Sequence, residues 1–170
     1  MDTFQQKALL LALGCALLMP LNAWADSTGL EANSSHYVHL CINVEGKIGG
    51  DPLDKADVQT KVEFLLRSAG VEFKVIPWRD FEETLQVIVQ TAANSLYVSV
   101  LFWRAVEYNV KGKKHMVYAP VYLDGAFGTH GDDRYYIINS VGEQVEKFLN
   151  KYLRVNGPSQ RKQSSKGARQ

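Results

Sequence analysis

Cysteine is nearly absent. The 170-residue sequence holds two, Cys15 and Cys41, so no framework of internal disulfides holds it together. An excess of charge is missing as well, since 19 basic residues meet 18 acidic ones for a formal net charge of +1. That balance argues against a dedicated nucleic-acid binder. No apolar run reaches the ~20 residues that a membrane-spanning helix needs. What remains, 46% hydrophobic and 22% charged residues, is ordinary globular composition and excludes a collagen-like or wholly disordered chain.

The apolar stretch Ala8–Met19 follows Lys7 and is followed by Ala23-Trp24-Ala25. A short positive region, a compact apolar run and a small-x-small exit predict a cleaved signal peptide over residues 1–25. A lipoprotein signal at Leu13-Gly14-Cys15 fits less well, because Ala12 stands where such signals carry leucine and the apolar run continues past Cys15. The mature chain then starts at Asp26 and keeps one cysteine, so its stability rests on an apolar core. The expected location is periplasmic or secreted, and the style of the signal fits a Gram-negative periplasm.

Residues 26–35 are polar and aperiodic, which predicts a flexible leader. Tyr37–Val44 is rich in strand formers. The next element is a helix that starts at Asp54 and Asp57, with Val58, Val62, Leu65, Leu66 and Ala69 on one stripe and Gly70 as its stop. Strands follow at Val71–Ile76, around Leu85–Val89, at Leu96–Asn109 and at His115–Leu123, the last two joined across Lys111-Gly112. Residues 124–133 read as a loop and Arg134–Ile138 as a final strand. Ser140-Val141-Gly142-Glu143 has the form of a capping box ahead of a second amphipathic helix. The tail 157–170 is expected to be disordered and is basic, with Arg161, Lys162, Lys166 and Arg169 and no acidic residue. The order predicts one α+β domain over 36–156. Its expected form is a two-layer sandwich, a mostly antiparallel sheet of five or six strands with two helices on one face.

Such a fold leaves a second sheet face. Strict alternation brings Tyr97, Leu101 and Trp103 of the long strand to it, with Met116, Tyr118 and Tyr122 of its hairpin partner. Tyrosine, tryptophan and methionine are the types enriched in interface cores, so these six are the candidate partner-binding residues. The partner is an envelope protein or a second copy of the chain. The basic tail adds a weak contact with anionic surfaces.

Two chemical readings compete with this one. His39 and Cys41 share a face of one strand, but a metal site needs further ligands, and only His115 and Met116 offer themselves. No metal or cofactor is therefore expected, and no catalytic residue is assigned. The stretch 125–134 groups His130, Asp132, Asp133 and Arg134, and the alternative function is an enzyme using that loop. A further alternative is an inhibitor or immunity-type protein that blocks an envelope-active partner through a protruding hairpin around Lys111–Lys114.

Overall fold

The computed structural model describes residues 29–31, 37–77 and 83–157. The expected signal peptide, most of the leader, the turn at Trp78–Phe81 and the tail from Pro158 lie outside the described residues. Among the described residues seven strands and two helices follow in the order β1 (Val38–Glu45), β2 (Lys47–Ile48), β3 (Asp51–Pro52), α1 (Lys55–Ser68), β4 (Phe73–Val75), β5 (Thr84–Ala92), β6 (Ser95–Val110), β7 (Lys113–Thr129) and α2 (Arg134–Asn156). The fold class is α+β. No helix among the described residues is long and apolar enough to cross a membrane.

The main sheet runs β4-β1-β5-β6-β7, and β2 and β3 form a separate small hairpin. It is mixed rather than mostly antiparallel. β4 and β5 both pair parallel to β1, while β6 and β7 continue antiparallel. The cause is α1, which carries the chain back along β1 so that β4 starts level with Val38, and β5 then enters on the other flank in the same direction.

Helix α1 forms as its stripe dictates. Asp54 caps it, its carboxylate accepting from the Ala56 amide at 2.8 Å. At the far end Gly70 takes φ +68°, and the amides of Gly70 and Val71 donate to the carbonyls of Arg67 and Leu66. This is a Schellman ending, with Val71 buried near Leu66. Val58, Val62 and Leu66 enter the core fully, while Leu65 and Ala69 pack at its margin.

The second helix begins earlier than its capping-box sequence suggests. Arg134–Ile138 is helical, not a strand, because Ile137 extends the stripe of Val141, Val145, Phe148 and Tyr152 one turn backward and Asp133 supplies the cap. The Asp133 carboxylate accepts from the amides of Tyr135 and Tyr136 at 2.8 and 3.2 Å. Ser140 lies inside the helix, where its hydroxyl donates to the Tyr136 carbonyl.

The core joins these helix stripes to Leu40 and Ile42 of β1, Leu85, Val87 and Val89 of β5, and Val98, Val100 and Phe102 of β6. Phe102, Tyr122, Phe148 and Tyr152 form its aromatic end, with ring centroids 5.4–5.9 Å apart. Leu30, in the stretch expected to be a flexible leader, is buried in this core instead. Its carbonyl accepts from the Asn156 side chain at 2.6 Å, so an apolar side chain and a satisfied backbone group dock the segment together.

Candidate interaction surface

β6 and β7 are nearly three times the usual strand length, and their pairing has one irregularity. Phe102 pairs with Tyr122 but Trp103 pairs with Pro120, so Val121 is an extra residue in β7. A bulge of this kind shifts the alternation of one strand by one position. Proline fits there because it has no amide hydrogen to offer the ladder.

β5 accompanies β6 only as far as Thr84, opposite Trp103. Beyond that point the described strands of the hairpin have only each other. At about 3.4 Å per residue, segments 104–110 and 113–119 make an arm about 24 Å long. Its tip is Lys111-Gly112, with φ +50° and +79°, the signature of a type I′ turn whose twist suits a two-stranded ribbon. Along the arm Tyr108, Val110, Met116, Val117 and Tyr118 are exposed, Met116 by 73%. The Tyr108 and His115 rings stack at 5.4 Å. Lys114 pairs with Glu107 at 2.8 Å, and Lys111 and Lys113 stand beside it.

The base of the arm is fastened. Arg104 donates to the carbonyls of Gly29 and Glu31 at 2.7 and 2.6 Å and lies 3.7 Å from the carboxylate of Glu83, with both side chains nearly buried. On the other sheet face the Trp103 indole donates to the Gln86 carboxamide at 2.9 Å, and Gln86 donates to Asn43 at 3.1 Å. A hydrogen-bonded row thus crosses three strands and fixes the Trp103 ring.

Of the six candidate residues, Tyr97, Leu101 and Trp103 share the sheet face away from the core, as alternation along β6 requires. Tyr118 and Met116 pair with Ala105 and Glu107, so they carry the same side onto the arm. Tyr122 does not join them. It is 6% exposed and packs on Phe148 beneath the Lys151 ammonium, because the bulge at Val121 turns it toward α2. The same shift brings Leu123 and Phe127, 65% and 77% exposed, onto the face of Tyr97 and Leu101. Straight alternation from Met116 passes over both of them. Pro120 inside a strand pattern was the signal that could have found them.

The chemical candidates do not converge. Cys41 is buried, its thiol lies 3.6 Å from the Asn43 oxygen, and burial pushes its pKa up, which keeps it a thiol rather than a nucleophilic thiolate. The His39 ring lies tilted beside that of Tyr37, whereas His115 and Met116 are on the arm. Among the described residues no group of three or more histidine, cysteine, aspartate or glutamate side chains is arranged to hold a metal ion. The stretch 124–129, expected as a loop, is the end of β7. Its neighbour His130 is buried and accepts from the Asp132 amide through Nδ1 at 3.0 Å. Asp132 turns away to accept from the Gly49 amide at 3.0 Å, and Asp133 caps α2. These carboxylates hold a turn together rather than flank an imidazole.

The chain matches no family model, no curated protein and no solved structure.

Proposed function

We propose that this is an exported, non-enzymatic binding or assembly module of the cell envelope. In this reading the fold is a two-layer sandwich with both helices on one sheet face. The other face and the β6–β7 arm meet an envelope protein or another copy of the chain. The observation that carries it is the arm. A ribbon with exposed Tyr108, Met116, Val117 and Tyr118 has no neighbouring strand among the described residues, and such side chains gain most by covering one another in a complex. The binding set is Tyr97, Leu101, Trp103, Met116 and Tyr118, joined by Leu123 and Phe127.

A pull-down from envelope extracts with residues 26–170, beside the same chain carrying Met116→Glu and Tyr118→Glu, tests the reading. Loss of the bound partner from a variant that still melts cooperatively supports it. Equal capture by both chains refutes the arm as the contact. The protruding lysine-tipped turn also favours a second reading, an inhibitor that places Lys111–Lys114 in a partner's cleft. In that case Lys111→Glu with Lys113→Glu abolishes binding while Met116→Glu does not.

A further inference from the structure

β7 is an edge strand along its whole length, and its outer rim has no strand partner among the described residues. Long exposed edges with apolar side chains are templates for another strand. Two features limit what this one can pair with. Pro120 offers no amide at one end, and the strand stops at Thr129, before the turn at His130. The usable stretch is 121–129, and its midpoint is Gly125.

We infer that β7 pairs antiparallel with β7 of a second copy about a two-fold axis at Gly125. This rests on the reading above and names the partner for that surface. In this register each position i lies opposite 250 − i of the other copy. Leu123 of each chain then faces Phe127 of the other, twice, and these are the two most exposed apolar side chains in the body of the sheet. Asp124, the one charged residue in the stretch, faces Ala126 and not another carboxylate. Even positions meet even positions, so the core sides of both copies stay together and the two sheets become one of ten strands. Shifting the register by one residue destroys this match.

The arms add to the same contact. With this register each arm leaves its own sheet at Pro120, opposite His130 of the second copy. It then runs past that copy's β7–α2 turn, where Asp132 and Asp133 sit, with Asp51 on the hairpin that Asp132 holds through Gly49. The residues of the arm level with this turn are Ala119, Tyr118 and Val117, whereas Lys111, Lys113 and Lys114 lie roughly 20 Å or more beyond Pro120. Strand pairing over 121–129 alone buries less than the ~1,200–2,000 Å² of a standard stable interface, and the two arms supply the remaining contact.

Sedimentation of residues 26–170 and cysteine cross-linking test the inference. The wild-type chain is expected to be dimeric at micromolar concentration. Phe127→Lys, at a largely exposed position, is expected to weaken the dimer at least 30-fold while the chain still unfolds cooperatively. Under oxidising conditions, an equimolar mixture of Leu123→Cys and Phe127→Cys chains is expected to form a disulfide-linked pair, whereas each variant alone stays unlinked. A chain that is monomeric at 100 µM, or cross-links that form equally well in the separate variants, overturns the inference. A monomer that still captures an envelope protein through its arm overturns the dimer but leaves the binding reading standing. Loss of both overturns both.

Discussion

Replacing Tyr122 with alanine separates the two faces of the hairpin. The ring is buried, its centroid is 5.4 Å from that of Phe148, and Lys151 covers it at 5.0 Å. Truncating a buried aromatic costs about 3–5 kcal/mol, the sum of lost transfer energy and a cavity that closes only in part. For a domain of this size that lowers the melting temperature by about 10–20 °C. Tyr122→Phe keeps the ring and loses only the 3.3 Å hydrogen bond to Asp124, so about 0.5–1.5 kcal/mol is expected. Thermal melting by circular dichroism reads both values. A Tyr122→Ala chain that melts like wild type but loses its partner refutes the placement, because that is the behaviour of a residue on the outer face.

The same phenol makes a pH prediction. Burial above all, then the charge of Asp124 and the hydrogen bond to it, raises the pKa of Tyr122 above the ordinary value of about 10. A raised folded-state pKa gives stability that is complete below pH ~10 and is lost as the pH climbs past it, because the unfolded chain releases the proton first. Wild type is therefore expected to lose more stability than Tyr122→Phe between pH 10 and 11.5. Parallel loss in the two chains, measured by urea unfolding, counts against a buried phenol.

Leu66→Ala is expected to cost about 2–5 kcal/mol in urea unfolding, and Leu65→Ala clearly less, because only Leu66 is fully enclosed. Arg104→Ala is expected to cost roughly 3–5 kcal/mol, since it leaves the buried Glu83 carboxylate without that cation, and adding Glu83→Gln recovers part of the loss. Gly142→Ala is expected to raise stability by about 0.5–1 kcal/mol. The new methyl displaces only the Cε end of Lys61, while the helix interior sheds a glycine. Trp103→Ala is expected to weaken partner binding about 30-fold in titration while the chain remains folded, and unchanged affinity removes Trp103 from the contact.

Much of the architecture was legible because single elements carry their own period. The stripe from Val58 to Ala69 and the alternation of Leu85, Val87 and Val89 required no tertiary information. The start of α2 was harder. Tyr-Tyr-Ile-Ile has strong strand propensity, and only its continuity with Val141 and the cap at Asp133 tips it to helix. The direction of β4 was not readable at all. Three residues paired to Val38–Leu40 take their orientation from the α1 crossover, which is a property of the whole chain.

The surface was half legible, and the division falls at one residue. On β6, where the ladder is regular, alternation placed Tyr97, Leu101 and Trp103 together, and the structure has them so. On β7 the same rule holds up to Pro120 and fails after it, because parity is a running count that one unpaired residue resets. Val121 therefore decides which aromatics belong to the core and which to the edge. Without it Tyr122 would leave Phe148, and Leu123 and Phe127 would turn inward against α2, where Asp124, Ala126 and Gly128 now leave little apolar surface. The bulge thus serves two ends at once. It seats one tyrosine in the core, and it sets two apolar side chains evenly about Gly125 on a strand edge that has no further strand among the described residues.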